Sequence, residues 1–292
     1  MEIKIAKDCG LCYGVKRALR MARDTRKHTT GKVVTLGALI HNPQVISDLE
    51  KQAIFSIQSP DDTESGTVII RSHGISPEIY ERLKKKNIKI VDATCPIVQK
   101  IQQRVNNLTK EGEEIIIVGN KKHPESIGLI GYSRGKGIII ESEEQAKKLP
   151  KRTKRAVLAQ STQDPFLFER IVAALKKRTG ELKIFNTICQ STQTQQKATS
   201  ELAEEVDILF IIGGKNSSNT NKLYQVSKRI LPNTYFIEKA EQITPEMLQG
   251  SKIIGLSGGA STPPEAIQEA VVTIKSCFEY KIHTEKDIQC QS

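Results

Sequence analysis

Tryptophan is missing from this 292-residue chain, and aromatic residues make up only 4% of it. Modules that bind single-stranded nucleic acid stack successive bases on aromatic rings, so that class is disfavoured. No apolar run approaches the roughly 18 residues that a membrane-spanning helix needs. The longest runs, such as 208–212, have the length of a strand. The opening Met1-Glu2-Ile3-Lys4-Ile5 lacks the pattern of a secretory signal. Together these absences lead us to expect a cytoplasmic protein with neither nucleic acid nor membrane as partner. In that compartment six cysteines serve as metal ligands or bystanders more readily than as a disulfide framework. A zinc ribbon needs two closely spaced pairs, and beyond Cys9 and Cys12 there is no second pair. Nor is there a low-complexity linker.

Acidic residues are outnumbered, 33 against 44 Lys and Arg, for a formal net charge of +11. Such a balance attracts anions: nucleic acid, phosphorylated metabolites or an acidic protein. Most of it belongs to a solvated surface.

What the chain does have is internal repetition. Cys12, Cys95 and Cys189 each follow a short apolar run and a loop. Each is followed by a second apolar run whose loop holds His41, His123 or Ser217, 29, 28 and 28 residues downstream. A repeat of about 90 residues that delivers one thiol per copy suggests three units around an axis, with the thiols converging. Candidate strands in the first copy are 3–6, 33–36, 54–57 and 68–70. Those of the second are 88–91, 115–118, 138–140 and 157–159, and those of the third 182–185, 208–212, 235–237 and 253–256. Short continuous β-branched runs read as buried parallel strands. Helical faces follow each thiol: Val15, Leu19 and Ala22; Val98, Ile101, Val105 and Leu108; Ala198, Leu202 and Val206. The expected division is 1–90, 91–185 and 186–276, with a polar C-terminal tail over 277–292.

Open α/β units bind ligands at the carboxyl ends of their strands. The loops there carry His41, His73, His123, Glu125, Ser161, Thr162, Ser217, Ser218, Asn219 and Ser261. Imidazoles, hydroxyls and helix starts pointing into one cleft suit a phosphate, although Ser and Asn also cap helices routinely. Glu125 suits either the first helical turn, on electrostatic grounds, or proton transfer. Asp92 suits a loop cap. Three thiolates without paired histidines favour iron–sulfur over other metals. Cys277 and Cys290, outside the repeats, read as small buried hydrophobes. Cys9 with Cys12 leaves a redox dithiol open. So do two other readings: a basic nucleic-acid-binding protein, and a zinc hydrolase using His41, His73 and His123.

Several motifs now meet in order: Gly10-Leu11-Cys12-Tyr13-Gly14-Val15, His41-Asn42-Pro43, Ser72-His73-Gly74, Asp92-Ala93-Thr94-Cys95-Pro96 and His123-Pro124-Glu125. Asn186-Thr187-Ile188-Cys189, Lys215-Asn216-Ser217-Ser218-Asn219 and Gly259-Ala260-Ser261 continue the series. Together they resemble the family of 4-hydroxy-3-methylbut-2-enyl diphosphate reductases, which complete the methylerythritol phosphate route to isoprenoids. The resemblance implies three pseudo-equivalent α/β domains with mostly parallel sheets, in a trefoil around a central 4Fe-4S cluster. Cys12, Cys95 and Cys189 would hold three irons and leave the fourth open. His41, His73, His123, Ser217, Ser218, Asn219 and Ser261 would clamp the substrate's diphosphate as neutral donors, without a strongly cationic pit. Glu125 would deliver protons with help from Thr162 or Ser161, Thr162 being preferred. An acidic ferredoxin or flavodoxin would bring the electrons. The chain departs from the family pattern at Leu11, where an aromatic is usual, and at Ser161, where a Thr is. Gln195 replaces a usual Arg, and Cys9 is an extra thiol beside the first ligand.

Overall fold

The computed structural model describes residues 2–289 of the chain. Twelve strands are assigned there: β1 (Glu2–Ile5), β2 (Val33–Leu36), β3 (Ile54–Ile57), β4 (Ser65–Ile70), β5 (Asn87–Asp92), β6 (Glu114–Val118), β7 (Gly137–Ile140), β8 (Arg152–Ala159), β9 (Thr179–Phe185), β10 (Ile208–Ile212), β11 (Thr234–Ile237) and β12 (Ile253–Gly258). The helices between and after them are α1 (Tyr13–Lys27), α2 (Pro43–Lys51), α3 (Pro77–Lys84), α4 (Pro96–Lys110), α5 (Pro124–Gly131), α6 (Glu143–Lys148), α7 (Pro165–Lys176), α8 (Gln190–Glu205), α9 (Ser218–Ile230) and α10 (Pro264–Gln289). None of them is long and apolar enough to cross a membrane.

The strands form three four-stranded sheets, ordered β3-β2-β4-β5, β7-β6-β8-β9 and β11-β10-β12-β1, and every pairing is parallel. The α/β architecture with three parallel sheets is therefore as expected. The grouping of strands differs. The strand before each thiol closes the sheet of the preceding copy, so β5 pairs with β4 and β9 with β8. By the same rule β1 pairs with β12, about 250 residues away, with Glu2 opposite Ile253. A repeat read from its thiols starts one strand too early, because a parallel crossover returns the chain beside the strand it has just left.

Each sheet is covered on both faces, which is why its strands are continuously apolar. In the second sheet Ile116, Val118, Val157 and Ala159 pack with Phe168, Ile171 and Leu175 of α7. The alternate residues Ile115, Ile117, Ala156 and Leu158 pack with Ile101, Val105 and Leu108 of α4. The chain divides into two compact units: one from Cys12 to Gln193, the other joining the first eleven residues to those from Thr194 onward. The segment after Cys277, expected as a polar tail, continues α10 to Gln289, and Cys290 lies outside the described residues.

The sheet order places function. In all three sheets the chain runs outward in opposite directions from the central pair, β2/β4, β6/β8 or β10/β12. Loops at the carboxyl ends of such a pair part from each other and open a crevice. Those loops carry His41 and His73, then His123 and Ser161, then Ser217 and Ser261. The thiols follow the fourth strand of each sheet instead.

Candidate functional site

Local structure treats the three thiols alike. Cys12 and Cys95 are the capping residues before α1 and α4, and Cys189 directly precedes α8. Their carbonyls accept the N–H of Lys16, Gln99 and Gln193 respectively, at 2.9, 3.0 and 3.1 Å. Cys95 N–H donates to the Ser72 carbonyl, and Cys189 N–H to that of Ser161. Side chains at a helix start face unsatisfied amides. Here the amides of Val15 and Gly14 pull the Cys12 pKa down and those of Ile97 and Val98 the Cys95 pKa, although neither side chain closes a capping hydrogen bond. Burial pushes both thiols up, and neighbouring thiolate charge pushes further in the same direction. Cys95 and Cys189 act on Cys12, and Cys189 with Glu125 on Cys95. The three sulfurs thus lie within electrostatic reach of one another. A Cβ added to Gly14 would lie 2.6 Å from the Cys95 sulfur, so glycine keeps that space open. Thiols at equivalent helix starts that repel each other when ionised fit an inorganic cluster between them. Cys9 is different: it packs against apolar core, and burial raises its pKa.

His41, His73 and His123 come together from two sheets. Their ring centroids are 4.4 Å (His41–His73), 5.2 Å (His41–His123) and 5.1 Å (His73–His123) apart. Burial and then the charge of Arg71 hold His41 down to about 4. His123 falls to about 3 through burial, then His41 and Arg71. His73 is also held well below the usual value, by burial first and then by His41, His123 and Arg71. All three are therefore neutral at physiological pH. The Nδ1 of His123 accepts the N–H of Glu125, which puts its proton on Nε2 as an outward donor. Their ligand atoms lie within 4.8 Å of one another, the geometry of a zinc triad. A guanidinium beside them repels a metal cation and attracts an anion, so the donor set suits phosphate better. Arg71 is the residue that sequence reasoning missed. It sits two positions before His73, and nothing in its local sequence marks it.

Glu125 is only 2% exposed. Ser161 donates to both of its oxygens, from N–H at 2.6 Å and from Oγ at 2.7 Å. Burial raises the carboxyl pKa against the pull of those two bonds. Thr162, the preferred hydroxyl, instead accepts from Gln160 Nε2 at 3.0 Å. The other end of Gln160 accepts from Asn120 N–H and Ser126 Oγ, tying together the loops after β6 and β8. Asp92 caps its loop, accepting from Thr94 N–H and Gln99 Nε2.

In the unit from Thr194 onward, Ser217, Asn219 and Ser261 are buried. Ser217 caps α9 through Thr220 N–H, and Ser261 Oγ donates to Ser217 Oγ at 3.4 Å. Ser218 opens α9 and is half-buried. Gln195 organises this corner. Its Nε2 donates to the Gly10 carbonyl, so its Oε1 must face Asn219, whose Nδ2 donates at 2.8 Å. Asn219 Oδ1 is left buried without a hydrogen bond.

Thiols near a buried carboxyl on parallel α/β sheets are a combination that suits a redox metalloenzyme. Comparison with known proteins narrows the class. A family model described as LytB protein matches residues 3–275. A 4-hydroxy-3-methylbut-2-enyl diphosphate reductase of Aquifex aeolicus is 45% identical over 282 residues, covering 96% of this chain and 98% of the relative. One from Caldanaerobacter subterraneus is 45% identical over 280 residues, covering 94% and 97%. A solved (E)-4-hydroxy-3-methyl-but-2-enyl diphosphate reductase, described as the terminal enzyme of the non-mevalonate pathway, is 44% identical. It has a TM-score of 0.67, with 94% of this chain and 100% of that one covered. The solved E-1-hydroxy-2-methyl-but-2-enyl-4-diphosphate reductase of Plasmodium falciparum is 28% identical with a TM-score of 0.88, covering 92% and 86%. The chain belongs to the LytB protein family. It is an oxidoreductase of an iron–sulfur-dependent kind.

Proposed function

We propose that this chain reduces 4-hydroxy-3-methylbut-2-enyl diphosphate to isopentenyl and dimethylallyl diphosphates, the last step of non-mevalonate isoprenoid precursor synthesis. The cofactor is a 4Fe-4S cluster held by Cys12, Cys95 and Cys189. One observation carries the reading: three thiols at equivalent helix starts, within electrostatic reach of one another and beside the buried carboxyl of Glu125. The names of the relatives agree with it.

When bound, such a cluster supplies a Lewis-acidic iron not held by protein, together with the path for electrons. Overall, the allylic C–O bond breaks, a C–H bond forms, and two electrons and two protons are consumed as water leaves. The protein's share is binding, orientation and proton supply. His41, His73 and His123 are neutral donors that grip phosphate oxygens and fix where the allylic end lies. Ser217, Ser218, Asn219 and Ser261 offer further neutral donors of the kind that binds phosphate. Glu125, whose carboxyl pKa burial raises, is the group placed to supply a proton beside the thiols, and Ser161 keeps that carboxyl in one orientation. Thr162 belongs to the loop framework through Gln160. Electrons come from an acidic ferredoxin or flavodoxin drawn to the basic surface, so raising salt slows reduction by that donor.

Anaerobic purification with iron and sulfide analysis tests the reading. It requires about four of each per chain, together with turnover of the diphosphate alcohol. Cys95→Ser should lose both. A colourless zinc protein would end the proposal and revive the histidine triad as a metal site.

A further inference from the structure

Arg71 lies one residue beyond β4, and its carbonyl accepts the N–H of Gly74 at 3.0 Å. Its side chain bends over Gly37, the first residue after β2. A Cβ on Gly37 would overlap the guanidinium Nη1 and come within 3.1 Å of Cζ. Gly37 also has a φ of +71°, which glycine adopts without strain. The guanidinium therefore occupies space left by a missing side chain, on the loop that leads to His41. Its charge reaches His41, His73 and His123.

What the half-buried guanidinium lacks is an anionic partner. Its Nε is buried without a hydrogen bond, and among the described residues no carboxylate pairs with it. Burial alone disfavours its charge, with no neighbouring anion acting the other way. A guanidinium does not escape by losing its proton. A half-buried cation whose Nε is shut away from water and from any acceptor is poorly compensated within the protein. A ligand entering beside the histidines can supply the compensating charge. The ligand must be an anion, and planar paired donors favour one with adjacent oxygens, such as a phosphate. The surrounding imidazoles are uncharged, so they give direction but little long-range attraction.

We propose that Arg71 is the counter-charge for the substrate's diphosphate, the group that supplies the attraction while the three histidines orient the bound anion. This rests on the proposed function for the identity of the substrate. It goes beyond that reading by moving the electrostatic contribution from the neutral donors to one cation.

The test uses anaerobically purified holoenzyme, wild type against Arg71→Gln and Arg71→Lys, with inorganic diphosphate as competitive inhibitor. In Arg71→Gln, KM and the inhibition constant for diphosphate should rise together, roughly 10- to 100-fold, as for loss of a charged hydrogen-bond partner. The kcat should stay within about threefold, because uniform binding is what has been removed. Iron content should not change. Without any anion the variant should melt no lower than wild type, since an unpaired charge has been removed. Arg71→Lys should recover part of the affinity. An unchanged inhibition constant overturns the proposal. So does a fall in kcat alone, and so does a Gln variant that unfolds while Lys also fails to bind diphosphate, for then the side chain is structural. If the wild-type enzyme does not reduce the alcohol, the functional reading falls by itself. Calorimetry of inorganic diphosphate binding to wild type and Arg71→Gln still decides the role of Arg71.

Discussion

Glu125 receives both of its hydrogen bonds from Ser161, and that pairing separates two neighbouring hydroxyls. Side by side in sequence, Ser161 and Thr162 offer the same group. Only the turn after β8 decides which of them faces the acid. Ser161→Ala should therefore lower kcat by about 10- to 100-fold with little change in KM, since orientation of the acid is lost. Thr162→Val should cost less than about threefold in kcat. Steady-state kinetics on iron-replete enzyme checks both, and equal losses would return Thr162 to the proton path. The same scale shows what an amide at Gln195 does that an Arg there would not. A guanidinium only donates, whereas this amide donates to Gly10 and accepts from Asn219, so the orientation of Asn219 follows from it.

At the scale of elements, the site is a set of helix starts and strand ends. Pro at the first helical position of α2, α4 and α5 pre-sets the backbone just after Asn42, Cys95 and His123. These prolines were visible in the sequence, and so were the strands that precede them. The use of Gly14 was not, because its neighbour Cys95 is 81 residues away in the chain. Alanine suits a first helical turn better than glycine by propensity. Even so, Gly14→Ala should lower iron content, since its Cβ would crowd the Cys95 sulfur at 2.6 Å. Iron per chain and far-ultraviolet circular dichroism are the measurements. Full iron occupancy with a native spectrum would show that the space is not needed.

For the molecule as a whole, the buried imidazoles link the site to stability. In the unfolded chain they titrate at the ordinary value of 6.5, while in the folded protein His41 and His123 are held to about 4 and about 3. Below 6.5 the unfolded state binds protons that the folded state refuses. Stability from these groups is therefore complete above that pH. It drains away as pH falls toward about 4 for His41 and about 3 for His123. Glu125 works in the opposite sense, since its raised pKa favours the folded state at low pH. His123→Gln isolates the histidine contribution. Its unfolding free energy should depend less steeply on pH between about 6 and 4.5 than that of wild type. Denaturant titrations along the pH axis check this, and an unchanged slope would show that His123 is not held neutral by its surroundings.

The sequence by itself determined the strands, most helix starts, the three repeated thiols and the loops that bear imidazole and hydroxyl groups. Apolar periodicity, proline and glycine are local signals and act over a few residues. It did not determine which strands share a sheet. Parallel neighbours are set by packing, so β1 joins β12 across almost the full length of the chain. Nor did it determine which of two adjacent hydroxyls meets Glu125, or that Arg71 folds onto Gly37 among three histidines. Those facts depend on side-chain direction and on contacts between distant loops. Burial then decides the charge each group carries, and burial exists only once the chain has folded.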